Sequence, residues 1–373
     1  MKKLFLVLSI VSVIVAASCS SSSSGDDTGP DNFDRTALLT NWADNIIVPS
    51  YVNYQTRLQT LVADVATFNT TPNEANLQTV RASWLEAYKS YQKVAIFYIG
   101  KAADISLNES ANTFPADAAG IEANIASGTY DLNLFAQFPK QGFPGLDYLI
   151  NGLGANDTAI VAFYATNANA IKYRQYLTAI TAKLKSNVDL VITDWNSGYR
   201  ATYIASNGRG VNSSVSKTTN LFVKTLEKPI RTGKIGIPAG LFSSGTKFPE
   251  KVEAYYKNNV SRELLNIAIQ AEQDFFNGKH ANSATTGESL KSYLDYLNAV
   301  RSGQNLSTVI NNQFAAIYAS NNTLNESFSQ QITADNSKMI AANTVIQQQV
   351  IYLKLDMMQA LNITVDYVDG DGD

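Results

Sequence analysis

The chain has 373 residues, 45% hydrophobic and 16% charged, which is the balance of a globular protein and enough for one large domain or two ordinary ones. Its formal net charge is −3 and its 29 lysines and arginines form no cluster, which excludes nucleic acid as a partner, since phosphate recognition needs concentrated positive charge. One cysteine excludes an internal disulfide framework, and one histidine leaves no His-Glu-x-x-His or related zinc spacing.

The chain opens on an address. Lys2 and Lys3 precede an apolar run over residues 4–15 that is too short to span a membrane. Ala16-Ala17-Ser18-Cys19 then reads as a lipoprotein cleavage site, with small residues before the cut and the Cys19 thiol as lipid acceptor. Residues 20–30 form a polar tether of serines, acids and glycines. A serine run with acids behind a lipidated cysteine also resembles the surface-export signal of Bacteroidetes lipoproteins. The expected partner is the outer membrane, held through a lipid anchor rather than a span, with the protein facing the periplasm or the cell surface. The expected boundaries are residues 1–18 for the signal, 19–32 for the tether, 33–155 for an N-terminal helical subdomain and 156–373 for a C-terminal one.

Beyond the tether the periodicity is helical. Leu38, Leu39, Trp42, Ile46, Leu58, Leu61 and Val65 recur at three- and four-residue steps over residues 33–68, and Pro49 should kink or split that stretch. Leu77, Val80, Trp84, Tyr88 and Tyr91 line one face of the next helix, which Gly100 closes as a C-cap; Trp84 and Tyr88 read as core. Residues 101–140 are irregular, with a short helix near 122–125. Residues 158–203 predict one long helix or a broken pair, 213–230 another, and 249–277 a long helix capped by Gly278. Helices over 288–300, 306–328 and 334–361 follow, then an extended tail over 363–368. Strand alternation is scarce, so the predicted class is all-α. His280 falls just past Gly278 in a polar loop expected to be exposed, with nothing placing a serine beside it. The run Phe97-Tyr98-Ile99-Gly100-Lys101 is echoed by Phe275-Phe276-Asn277-Gly278-Lys279. That faint repeat fits two related bundles and is explained equally by convergent capping.

Two glycine-rich stretches stand out. In Lys140-Gln141-Gly142-Phe143-Pro144-Gly145-Leu146-Asp147-Tyr148, Pro144 suits the first turn of a helix and Asp147 lies near the positive end of its dipole. Capping, or pairing with Arg231 or Lys234, is the leading role for Asp147, ahead of metal binding. The second stretch is a loop, Arg231-Thr232-Gly233-Lys234-Ile235-Gly236-Ile237-Pro238-Ala239-Gly240. It is no phosphate loop, because no Gly-Lys-Ser/Thr follows a hydrophobic strand. The ending Asp366-Tyr367-Val368-Asp369-Gly370-Asp371-Gly372-Asp373 lacks the glutamate of a calcium loop and reads as an acidic tail.

Both stretches resemble the imelysin family. Its motif Gly-x-His-x-x-Glu aligns with Gly142, Pro144 and Asp147, so both chemical positions are replaced here. The family's Lys-Ile-Gly-x-Pro-x-Gly segment matches residues 234–240, followed by Val252-Glu253-Ala254-Tyr255-Tyr256. The resemblance implies two packed helical bundles with a cleft between them, where the two stretches meet. It implies ligand-binding roles for Gly142, Asp147, Tyr148, Arg231, Lys234, Gly236 and Glu253. No cofactor is assigned; a site of oxygen ligands for a divalent metal or iron stays open, and it would use Asp147 first, with Glu253 and Glu122 as weak seconds. Some imelysin-like proteins are described as metallopeptidases and others as parts of iron uptake. With proline in the histidine position no catalytic residue is expected. The expected function is therefore a membrane-anchored envelope binding protein for iron or another small ligand, working beside iron-uptake or other envelope proteins. A divergent metallopeptidase and a structural surface lipoprotein are the alternatives.

Overall fold

Among the described residues the first helix starts behind Asp34, whose carboxylate accepts the Ala37 N–H at 2.8 Å as an N-cap. The helix Arg35–Asn41 passes through a wide turn of π geometry, Trp42–Ile47, into α1 (Val48–Thr70). Pro49 sits at the start of α1, directly after that turn. Proline lacks an N–H and clashes with the carbonyl four residues back, and the extra residue of a wide turn moves that carbonyl aside. The computed structural model describes residues 31–367; Cys19, the signal and the Asp-Gly ending lie outside them.

Asn73 caps α2 (Glu74–Val94) by accepting the Asn76 N–H at 2.8 Å. Both α2 and α3 (Ala170–Asp194) pack along α1, and the short helices Leu107–Asn112, Gly142–Asp147 and Asp157–Ala165 close this first bundle. A second bundle is built from α4 (Ser214–Thr225) and its wide continuation Leu226–Gly236, with α5 (Ser261–Phe276), α6 (Leu306–Asn321) and α7 (Ser337–Ile351). The seam between the bundles is the contact of α2 with α5. The fold is all-α; among the described residues the only paired strands are Val300–Arg301 and Gln304–Asn305.

Aromatic burial holds the first bundle. Trp84 is fully buried and meets Tyr88 edge-on at 5.5 Å, and Tyr88 stacks face to face on Phe143 at 4.4 Å. Each such ring contributes about 1.5–3 kcal/mol of burial and the pairs somewhat more. Trp84 and Tyr88 are core, as expected.

Four local expectations fail for identifiable reasons. The long helix over 249–277 is broken: after the short turn Pro249–Lys251, residues 252–260 are irregular, with φ of 56° at Ala254 and 64° at Asn258. Residues 231–240 are no glycine loop, because helix continues to Gly236 in π geometry with Pro229 inside it. Gly100 does not cap α2, which ends at Val94. Gly278 does cap α5: the N–H of Lys279 reaches the Asp274 carbonyl at 2.9 Å and that of Gly278 the Phe275 carbonyl at 3.0 Å, the paired bonds of a Schellman motif. The helix through Asp147 starts earlier than expected, at Gly142, so Asp147 lies past its first turn.

Candidate functional site

The break in front of α5 is what builds the site. The irregular segment 252–260 carries Glu253 into the space between the bundles, where it is 2% exposed. Positive φ at the following Ala254 reverses the chain there, and Ser261 Oγ donates to the Glu253 carbonyl at 2.9 Å. Opposite, the wide helix Leu226–Gly236 presents Lys234, itself 4% exposed, and its ammonium donates to Glu253 Oε2. Glu253 Oε1 accepts from Tyr88 Oη at 3.0 Å, Gln92 Nε2 at 3.0 Å and Asn112 Nδ2 at 2.8 Å. Lys234 Nζ also donates to Gln92 Oε1 at 3.0 Å. The same Tyr88 hydroxyl lies against Asn112 Oδ1, so its one proton is shared between that oxygen and Glu253.

This network spans the seam, with Tyr88, Gln92 and Asn112 from one bundle and Lys234 from the other. Burial pulls the Lys234 ammonium below its ordinary range, and the Glu253 carboxylate opposes that pull. Burial, reinforced by Glu253, pushes the Tyr88 phenol far up, so it stays a donor. Above the network lies a cleft of about 350 Å³, lined by Lys234, Gln92 and Asn112 and walled by Tyr91, Phe114, Pro229 and Ile230. Both carboxylate oxygens of Glu253 are engaged. Lys234 has three N–H donors, of which two are spent on Glu253 and Gln92. The third is available to a ligand in the cleft.

Asp147 occupies a different place. It is 1% exposed; Oδ2 accepts the Tyr256 N–H at 2.8 Å, while Oδ1 accepts the Lys257 N–H at 2.9 Å and Asn151 Nδ2 at 2.9 Å. Its partners are thus the backbone of the 252–260 segment, neither Arg231 nor Lys234. Burial raises its carboxyl to about 7, and these hydrogen bonds hold it from rising further. The space it shares with Pro144, Phe114 and Tyr256 is about 10 Å³, room for one water at most.

The remaining expected site residues separate by role. Gly142, at φ 69°, brings the chain so close to residue 111 that a Cβ would stand 2.3 Å from the Ala111 carbonyl oxygen. That crossing sets Phe143 beside Tyr88, and Asn112 next to both. Tyr148 donates to Glu122 Oε1 at 2.8 Å and leans on Tyr256 at 5.1 Å, away from the cleft. Gly236 makes room for Phe242, whose ring would lie 2.5 Å from a Cβ. Arg231 is buried on the same wide helix as Lys234. So the structure joins Lys234 with Glu253, and sets Asp147 against the same segment from the other side. Sequence reasoning missed Gln92 and Asn112. Gln92 had a signal, since it stands four residues after Tyr88 on the apolar face of α2, where an amide needs a partner.

A family metal does not fit these residues. Pro144 offers no ligand atom, Asp147 is committed to two backbone N–H groups, and Glu253 is engaged by Lys234 and three neutral donors. Glu122 holds the hydroxyls of Tyr148 and Tyr173. Among the described residues no three His, Cys, Asp or Glu side chains converge, whereas zinc takes three or four such ligands. His280, expected in an exposed loop, is half-buried with its Nε2 enclosed.

A family model described as imelysin matches residues 47–354. The iron-regulated protein A of Synechococcus elongatus is 21% identical over 245 residues, a match that covers 62% of this chain and 62% of that protein. The chain thus spans just under two thirds of that relative's length. An imelysin-like protein from Psychrobacter arcticum has the same fold, with a TM-score of 0.68 and 16% identity over 89% of this chain and 97% of that one. So does a protein from Parabacteroides distasonis named as an iron-regulated protein A precursor, with a TM-score of 0.71 and 16% identity over 90% and 97%.

Proposed function

The chain belongs to the imelysin family, and we propose that it is an exported, lipid-anchored envelope protein that binds a small ligand without catalysis. The observation that carries this reading is the cleft on the Lys234–Glu253 network. It is half-open and largely apolar-walled, its floor is hydrogen-bonded, and Lys234 keeps one N–H donor beyond those given to Glu253 and Gln92. Such a preformed pocket with few polar groups suits a ligand of mixed character. Nothing in it supplies an activated water or a general base: Asp147 is sealed behind Pro144 and Glu253 is held by its ion pair. The names of the relatives, iron-regulated protein A and its precursor, support export and an iron-related setting. The lipid anchor rests on Cys19 and its flanking residues.

Metal analysis by mass spectrometry tests the non-catalytic part. The soluble form starting at Asp31 is incubated with iron, zinc and calcium beside an Asp147→Ala variant. Neither should retain near-stoichiometric metal. Metal held by the native form and lost from the variant would overturn the reading in favour of a divergent metallopeptidase. For the anchor, Cys19→Ala should move the full-length protein from the membrane fraction to the soluble one; unchanged fractionation would refute lipidation at Cys19.

A further inference from the structure

After the last helical turn ends at Ala360, residues 363–367 run along the second bundle as an arm, and none of them is buried. Asn220, on α4 and 1% exposed, reads the backbone of this arm. Its Nδ2 donates to the Thr364 carbonyl at 3.0 Å, and its Oδ1 accepts the Asp366 N–H at 3.0 Å. The other Nδ2 hydrogen goes to the Ser216 carbonyl at 3.1 Å and fixes the amide in that pose. One side chain thus takes the two backbone points that a neighbouring strand would take. Next along the arm, Tyr367 Oη donates to Glu227 Oε2 at 2.7 Å. Its ring faces the ammonium groups of Lys228 at 5.7 Å and Lys354 at 5.2 Å, and Lys354 also donates to Glu227 at 3.2 Å.

The buried core includes no side chain of the arm, so the arm can leave without unfolding the helices beneath it. The groove also continues beyond the arm. A space of about 510 Å³ lies beside Asp366 and Tyr367, lined by Lys217 and Lys224 on α4 and by the half-exposed Tyr98 and Tyr199. With Lys228 and Lys354 this face carries four ammonium groups, in a chain of net charge −3. We propose that the groove is a docking site for an extended acidic peptide segment of a partner protein, with tyrosine directly after an acidic residue. The arm is its tethered stand-in and gives way to it. Such a segment keeps the contacts to Asn220 and Glu227 and adds lysines and tyrosines that the arm leaves unused. None of these residues lines the Lys234 cleft, and the site does not depend on what that cleft binds.

NMR on the soluble form starting at Asp31 tests both halves. Tyr367 is half-buried and outside the core, so its variants fold. In Tyr367→Phe the Asp366 amide should exchange with solvent about tenfold faster or more, with the amides of α4 unchanged. An Asp366 amide as slow as those of α4, or α4 amides that quicken with it, would overturn release of the arm. For docking, the peptide acetyl-Ile-Thr-Val-Asp-Tyr-amide is titrated into Tyr367→Ala and followed at the Asn220 side-chain amide. It should shift that signal saturably, with half-saturation on the order of 0.1–1 mM. The native chain should need about tenfold more peptide, because its tethered arm competes. Peptides with phenylalanine for the tyrosine, or in scrambled order, should bind the variant at least about tenfold more weakly. No shift in the variant would overturn the site, as would equal binding of the phenylalanine or scrambled peptide. Equal half-saturation in the variant and the native chain would overturn the arm's role as stand-in.

Discussion

Replacing Lys234 by methionine would strip the counter-charge from a carboxylate that has no access to water. Glu253 is 2% exposed and would keep only the neutral donors of Tyr88, Gln92 and Asn112. Breaking a buried pair from one side costs about 3–5 kcal/mol, most of it the stranded charge. A domain of this length unfolds with an entropy of roughly 0.7 kcal/mol/K, so the loss should appear as a fall in Tm of about 4–7 °C. Removing the charge from the other side, with Glu253→Gln, strands the ammonium and should cost a similar amount. The double variant Lys234→Met/Glu253→Gln strands neither, and its amide oxygen still accepts from the three neutral donors. It should therefore lie within about 1–2 kcal/mol of the native protein, far from the sum of the singles. Scanning calorimetry of all four forms at one pH reads the coupling directly. If the double variant loses what the two singles lose together, the pair is not the coupled, desolvated unit described above and the argument is wrong.

Asp147 should tie stability to pH. Its folded carboxyl titrates near 7 against an ordinary value of 3.8, so the native state holds the proton more tightly between those values. Its contribution is present in acid and is lost as pH rises through about 7, by up to about 4 kcal/mol. Urea unfolding at pH 5 and pH 8 should show a smaller difference for Asp147→Asn than for the native chain; equal differences would refute the assignment. Glu272 is wholly buried with no hydrogen-bond partner for either oxygen, and burial pushes its carboxyl well up. Glu272→Met should raise Tm at pH 8 by removing that penalty, about 1–3 kcal/mol, and a lowered Tm would show an unseen partner. Gly142→Ala places a methyl against the Ala111 carbonyl at positive φ and should cost about 1–3 kcal/mol or more by thermal melt; an unchanged melt would mean the crossing relaxes freely.

The all-α class and most helices were legible because their apolar stripes are regular and their caps conventional. Asn73 and Gly278 signal the ends of α2 and α5 through short-range hydrogen bonds that the sequence encodes locally. The segment over 252–260 was not legible. Its residues Val252, Ala254 and Tyr256 carry a helix-compatible pattern, and what unwinds them is a distant set of partners: Lys234 for Glu253, and Asp147 for the amides of Tyr256 and Lys257. The pairing of Lys234 with Glu253 was hidden for the same reason, since both lay in segments read with the wrong local geometry. Which helices share a bundle was likewise unreadable from order along the chain, because α3 returns to α1 across a long intervening stretch. Asp147 stood out as a carboxylate for capping or pairing with Arg231 or Lys234, but its partners are Asn151 and the backbone amides of Tyr256 and Lys257, and distant backbone amides leave no mark in a sequence.

The wide turns have a bearing on how relatives of this chain should be compared. Among the described residues four helical stretches, at Trp42–Ile47, Tyr148–Gly152, Leu226–Gly236 and Tyr352–Met357, carry such geometry, while Trp195–Tyr199 is a kink at Gly198. A wide turn is what remains when one residue has been inserted into an α-helix and the flanks have kept their packing. Deleting that residue heals the helix and swings everything on one side of it by about 100°. At identities of 16–21%, alignments that forbid gaps inside helices will misplace the positions that follow. Single-residue gaps belong at these four places, and homologues lacking the insertion at Leu226–Gly236 should carry their equivalent of Lys234 on another face.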